Sequence, residues 1–416
     1  MQETAVQNPA AMRFDLTSQA FKANPFPTLA RMREAGQVIR VRVPLFGQVW
    51  AATSYEAVND LLRDHTRYLQ NPTTAGHSGM GLLLRCLPKR LQPLRMQMLA
   101  KDEPDHRRLR NLVDQAFQRQ QVESLRPRLE ALATDALDQF AVEARRNPSG
   151  VDLITHFARP FPLSVICELL GLPQEDRAQF TRWASRFGVV TNILGIVRAL
   201  SGLSKLLNYV REEIVRQRAR PRDGLLSALI HVEAAGDRLN EDELVAMVFL
   251  LLVAGHETTL HQIAGSALIL LDHPEQFREL REDWRLVETA VPELFRYLSF
   301  AQTTKPRYAR EDLELQGQAI GKGEMVLAFL AAANFDPQYF AHAETLDLHR
   351  QPNRHLALGA GIHYCLGAKL AVMETEVALR QLFTRFPNLR LAGRREDVRY
   401  TKRFGSRGLA ALPVCV

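Results

Sequence analysis

Leu244–Gly255, LVAMVFLLLVAG, is a run of 12 residues without a charge, and it constrains the fold more than any other stretch. It is short of the ~20 residues that cross a bilayer, so it belongs inside a protein. It is also about twice the length of a mean strand, which favours a helix that is apolar on every side and therefore surrounded by other elements. The run ends in Ala254-Gly255-His256-Glu257-Thr258-Thr259. An acid and two hydroxyls at the end of a buried helix are costly unless each has a partner or a task.

The chain around this helix carries different periods in different regions. Gln37–Val43 and Gln48–Ala52 alternate polar and apolar residues about Phe46-Gly47, which predicts a β-hairpin. From Ser54, a capping residue, the period becomes helical, with Ala57, Val58, Leu61 and Leu62 on one face. Arg107–Phe117 and Val122–Phe140 are amphipathic, and Val151–Leu170 reads as a helix stopped by Gly171. After Arg296 short strand-like pieces, Asp312–Leu315 and Met325–Phe329, precede a last helix at Gly367–Arg385 and a β-like tail. No repeat or Gly/Ser linker divides the sequence, so we expect one domain over 1–416, with 1–13 poorly ordered. At 416 residues such a chain buries roughly three quarters of its surface, enough to enclose a large cofactor.

The chemistry concentrates in His355–Gly367, HLALGAGIHYCLG. Gly359 and Gly361 can take backbone conformations closed to other residues and turn the chain tightly about Cys365. A thiolate held in such a loop is a good axial ligand for haem iron; a buried structural cysteine is the other reading. Four cysteines and no C-x-x-C pair argue against a disulfide framework and a Cys-rich zinc site. His256-Glu257 with His261 approaches the zinc motif H-E-x-x-H, but Leu260 stands where the second His must be. A spacing of five turns that His about 140° away, so zinc is rejected.

From about Phe14 to the end, the chain resembles the cytochrome P-450 family. The resemblance rests on Leu358–Gly367, which fits F-x-x-G-x-[HR]-x-C-x-G except at Leu358, and on Ala254–Thr259, which fits A-G-x-[DE]-T-[TS] throughout. Further matches are Glu293-Leu294-Phe295-Arg296, Phe161–Leu172, Asp237–Val245 and Ala333–Pro337, where Phe335 replaces the usual Arg. The resemblance implies a mainly α fold with small β regions, in which haem lies between a long central helix and the Cys-ligand loop. It implies haem b bound by Cys365, in contact with Ala254, Gly359 and Gly367, and O2 as co-substrate. Thr258 would open the central helix and donate a hydrogen bond at the oxygen site, and Glu257 would relay protons. His106, Arg110, Arg307 and His363 would hold the haem propionates, while Glu293, Arg296 and Arg350 would form a buried structural group.

The resemblance further implies a monooxygenase that inserts one oxygen atom from O2 into a C–H or C=C bond. A peroxide-driven haem enzyme and a non-catalytic haem sensor are the alternatives, and the Glu257–Thr258 pair speaks against both. Substrate would be bordered by Tyr68–Leu99, Arg182–Val210, Leu250–Thr258, Ala301–Thr304 and Arg403–Ser406. Phe187–Leu207 is mostly apolar, which predicts a medium-to-large apolar small molecule, since such a lining cannot solvate charge. Only 51 residues follow Cys365, leaving no room for a reductase domain, so electrons would come from a separate ferredoxin or flavodoxin with its reductase. The net charge of +7 includes Arg85, Lys89, Arg90, Arg95, Lys101, Arg107, Arg108, Arg110 and Lys369, a basic face for an acidic donor. No nucleic-acid module is present, and Met1–Arg13 carries neither signal peptide nor membrane anchor, so we expect a cytoplasmic monomer.

Overall fold

The computed structural model describes residues 11–44, 46–76, 89–119, 122–184, 193–234 and 236–416. The predicted hairpin forms from Val38–Val43 and Gly47–Ala52, antiparallel from Val38 opposite Ala52 to Val43 opposite Gly47. Gly47 takes the turn at φ +75°, open to glycine at little cost. Met325–Ala328 pairs parallel to the second strand, with Val326 opposite Trp50, and Arg307–Ala309 pairs antiparallel to Met325–Ala328. The sheet thus sets Arg307 opposite Val326, in a strand whose other edge pairs with Tyr68–Leu69. Met12–Arg13 pairs with Val41 and Arg42 at one edge. This corrects the expectation of disorder for the last of the first thirteen residues; 1–10 lie outside the described residues.

Ser54 caps the helix Tyr55–Arg63 by accepting from the Ala57 N–H, and Ala57, Val58, Leu61 and Leu62 are buried on its inner face. The central helix runs unbroken over 32 residues, Glu241–Asp272, and opens with a capping box between Asn240 and Glu243. It packs on Pro160–Leu170, Val287–Leu298 and Ala368–Arg385. Gly265 permits the approach of Val287–Leu298, because a Cβ there would stand 2.6 Å from Leu298. Leu250 and Val253 are half-buried and Ala254 is exposed, although Leu244 to Phe249 are buried.

Val151–Leu170 is not one helix. Val151–Asp152 pairs with Pro413–Cys415, Ile154–Ala158 forms a wide π-type turn, and the α-helix begins only at Pro160. Asp152 accepts from the Ile154 and Thr155 N–H groups, which ends the strand and starts the turn. Gly171 does stop the helix, in the left-handed region at φ +69°.

Glu293, Arg296 and Arg350 meet in the interior. Glu293 and Arg296 are fully buried and joined by two 2.7 Å hydrogen bonds, and Arg350 Nε lies 3.1 Å from Glu293 Oε2. Phe335, where the resemblance expects Arg, lays its ring 5.3 Å from the Arg296 guanidinium. An aromatic face can seat a cation, and a second Arg there would repel one.

Candidate active site

The loop Leu356–Gly367 is built on hydrogen bonds that its glycines make possible. Gly359 N–H donates to Leu356 C=O at 2.9 Å, Tyr364 N–H to Gly361 C=O at 3.1 Å and Cys365 N–H to Leu358 C=O at 3.0 Å. Gly359 and Gly361 sit at φ +75° and +68°, and a Cβ on Gly361 would lie 2.4 Å from the Leu62 carbonyl. No other residue fits at Gly361. Gly367 has open space where a Cβ would be, and it starts the helix Ala368–Arg385. Cys365 is half-buried in this cradle. Burial pushes its thiol up, while the Gly367 N–H and the Arg110 charge act in the opposite direction.

Beside Cys365 lies a group of cations and imidazoles with little to bind. His106 is 1% exposed and neither of its ring nitrogens has a hydrogen-bond partner. Its ring meets His363 edge to face, with centroids 4.2 Å apart, and His363 Nδ1 is also unpartnered. Arg307 is equally buried and its Nε is unpartnered. Burial lowers Arg307 to about 10, opposed by more distant Asp102 and Asp64. Arg110 ties its helix to the loop through Tyr364 C=O at 2.9 Å and shares its charge with Asp114 at 3.1 Å. Unpartnered N–H donors of two neutral imidazoles beside a buried guanidinium call for an anionic acceptor. The two propionates of haem satisfy that demand, so the residues present fit the group.

Sequence reasoning missed one member. Lys305 is exposed, makes no hydrogen bond or ion pair from its ammonium among the described residues, and belongs to the charges that depress His363. Its position two residues before Arg307, hence on the same side of an extended chain, was the available signal.

A second open strip lies on the central helix. Ala254 and Thr258 are exposed and Leu250, Glu257 and His261 half-buried, in a helix whose other neighbours are covered. Spacings of three and four place them on one face. The Thr258 hydroxyl donates to the Ala254 C=O at 2.6 Å, and the helix continues through this point. Such a back-bond loosens a helix locally, although the open kink expected here is not seen. Glu257 is not buried: 38% of its side chain is exposed and it pairs with Arg403 at 2.8 Å.

Two of the expected substrate-bordering turns adjoin one another. Ala301 bridges to Ser406, and Gln302 N–H donates to Gly405 C=O at 2.9 Å. Residues 77–88 and 185–192 of the other two segments lie outside the described residues. The basic face is smaller than expected, because Arg108, about a third exposed, is paired with the buried Glu243 and the exposed Asp237. Arg107 pairs with Glu103 at 2.9 Å and Lys369 with Glu123 at 3.1 Å, while Arg85 is outside the described residues.

Three further histidines are held neutral by burial: His256 and His355 at about 4, and His261 at about 3, with Arg159 (His256, His261) or Arg296 (His355) adding repulsion. Unfolding frees each to titrate near its ordinary value, so between about 4 and 6.5 the unfolded chain binds the extra protons. Stability therefore falls as pH falls through 6.5, by roughly 1–2 kcal/mol per histidine at pH 5. A melting series from pH 7.5 to 5 checks this; His261→Phe, which keeps the stack on Phe300, should flatten the profile.

The family description "Cytochrome P450" matches residues 197–402. The polyketide biosynthesis cytochrome P450 PksS of Bacillus subtilis (strain 168) is 36% identical, across 97% of this chain and 98% of that protein. The mycinamicin IV hydroxylase/epoxidase of Micromonospora griseorubida is 38% identical, across 96% of this chain and 100% of that protein. The solved structure of the Bacillus PksS superposes with a TM-score of 0.86, covering 97% of this chain and 99% of that one. With its cysteine loop, its open central helix and these full-length similarities, the chain belongs to the cytochrome P450 family and is a haem-dependent monooxygenase.

Proposed function

We propose that Cys365 is the thiolate ligand of the haem and that the enzyme oxygenates a medium-to-large apolar natural product of the polyketide or macrolide kind. The observation that carries this reading is the half-buried Cys365 in its glycine cradle beside unpartnered His106, His363 and Arg307. When bound, haem supplies the site where O2 takes up two electrons and one of its oxygen atoms passes to the substrate.

The chain's own residues set the conditions for that chemistry. The Gly367 N–H beside the sulfur stabilises its negative form, and metal binding deprotonates a ligating thiol outright. Arg307, Lys305 and Arg110 would neutralise the propionates, and the two neutral imidazoles would donate hydrogen bonds that fix the orientation of the group. Ala254 leaves space on the central helix where a larger side chain would not. Thr258 holds a proton at its hydroxyl, which can turn from Ala254 C=O toward the open strip, and Glu257 refills it from solvent. Leu250 and Val253 keep the strip apolar. Substrate class follows from this lining and from the mycinamicin IV and polyketide chemistry named for the two relatives. Electrons come from a separate ferredoxin or flavodoxin with its reductase, to a protein working as a monomer in the cytoplasm.

The test is turnover of mycinamicin IV and related macrolides with a surrogate ferredoxin and reductase, scored by product mass increased by one oxygen. Thr258→Ala should keep haem and substrate binding but divert most reducing equivalents into peroxide, roughly a tenfold loss of coupling or more. Unchanged coupling would remove Thr258 from proton delivery. Product formed only with added peroxide would instead favour the peroxide-driven reading.

A further inference from the structure

Lys22, in the short helix Gln19–Ala23, has none of its surface exposed. Its ammonium meets no carboxylate among the described residues. It donates instead to Gln302 Oε1 at 2.8 Å, to Arg403 C=O at 3.2 Å and to Ser406 C=O. Burial, with Arg407 alongside, lowers it to about 8, so it is mostly charged at neutral pH. Arg407 answers in the other direction: its Nε donates to Lys22 C=O at 2.7 Å and its NH2 to Ala23 C=O at 3.1 Å.

These bonds clamp two turns that also hold one another. Arg407 N–H donates to Phe300 C=O at 2.8 Å and Gln302 N–H to Gly405 C=O at 2.9 Å. Gly405, at φ +73°, lies so close that a Cβ would stand 2.6 Å from Thr303 Oγ1. From the clamped turn Arg403 extends to Glu257, NH1 to Oε1 at 2.8 Å, with 59% and 38% of the two side chains exposed. An ion pair this open is not held together by burial. Its geometry depends on where the turn places Arg403.

We propose that Arg403 is the positioning residue for the proton-relaying carboxylate of Glu257, and that Lys22 sets the station of Arg403 by clamping its turn. The inference rests on the reading of Glu257 as the proton relay. Arg403 fixes the rotamer of the carboxylate, and with it the distance over which a proton passes to the Thr258 hydroxyl; each proton given up is replaced from solvent. Because the same turn borders the expected substrate space, substrate contact and proton delivery share one mechanical element.

The partition of electrons between peroxide and water tests this without a known substrate. Peroxide takes two electrons and two protons per O2, and water takes four of each, so slower proton delivery favours peroxide. Haem-loaded protein is reduced through a surrogate ferredoxin system, and the peroxide fraction and solvent deuterium isotope effect are measured for wild type, E257Q, R403Q, R403K, E257Q/R403Q and K22M. R403Q should raise the peroxide-to-water ratio roughly threefold to tenfold and enlarge the isotope effect, with the reduced carbon-monoxide spectrum unchanged. R403K should restore most of the loss, the double variant should be no worse than E257Q, and K22M should reproduce R403Q. If K22M fails to fold, Gln302→Leu, which removes one acceptor, should shift the ratio in the same direction. An E257Q protein that behaves as wild type overturns the relay reading and the proposal with it. An impaired E257Q beside a wild-type R403Q, or a double variant with additive losses, overturns the proposal alone.

Discussion

Glu293→Gln should lose about 3–5 kcal/mol of stability and much of the yield of folded protein, although the change removes one charge and no volume. Glu293 is fully buried and accepts from Arg296 Nε and NH2 at 2.7 Å, from Arg350 Nε, from Asn353 Nδ2 at 3.0 Å and from the Asp347 N–H at 3.0 Å. The two guanidiniums spend their remaining donors on the carbonyls of Asn334, Ala341, His342, Ala343 and Thr345. Those carbonyls are dipoles and cannot replace a full negative charge. With Gln at 293, two buried cations face each other uncompensated. Breaking such a group costs about 3–5 kcal/mol, against a total stability of about 5–15 kcal/mol. The loss also releases the chain from Asn334 to Asn353, which the group holds against the helix Val287–Leu298. Yield of soluble protein and a denaturation series check it; a Glu293→Gln protein within about 1 kcal/mol of wild type would show that the carbonyls suffice.

Cys365→Ser should have the opposite profile: a sound fold and no oxygenation. Cys365 is only half-buried, and the loop around it is held by backbone bonds that serine leaves in place, Cys365 N–H to Leu358 C=O among them. Near-isosteric exchange at such a position costs little, within about 1 kcal/mol. A serine hydroxyl is neither as polarisable nor as readily deprotonated as a thiol, so the electron donation that favours O–O cleavage is lost. We expect the haem-free variant to melt with wild type, haem to bind through the propionate contacts with weakened affinity, and monooxygenase activity to fall below detection. Oxygenation that survives Cys365→Ser would show that the thiolate is not needed.

Features whose causes are local are legible in the amino-acid sequence. The Ser54 cap, the hairpin about Phe46-Gly47 and the cysteine loop each depend on residues within a dozen positions, and each stands where the pattern places it. Val151–Leu170 departs from its helical pattern because its first residues are claimed by Pro413–Cys415, a strand partner that no local period announces. Burial of the Glu293–Arg296 pair is not visible in the i,i+3 spacing, which an exposed helix shares; it comes only with the family resemblance. Apolar neighbours in sequence suggest that Glu257 is buried, yet it faces the open strip and reaches Arg403. Lys22 carries no signal at all: two of its three acceptors are backbone carbonyls, which every residue possesses. Arg108 has the sequence setting of a surface charge, and only the fold brings Glu243 and Asp237 to it.

The central claim is that Cys365 presents a thiolate to haem iron in the cavity between its loop and the central helix. The absorption spectrum of the reduced protein under carbon monoxide tests it directly, because the position of the main band reports the ligand on the far side of the iron. The wild-type protein should show the strongly red-shifted band of a thiolate-ligated haem, and Cys365→Ser should lose it. A wild-type band at the position given by an imidazole ligand, or a red-shifted band that persists in Cys365→Ser, would contradict the claim.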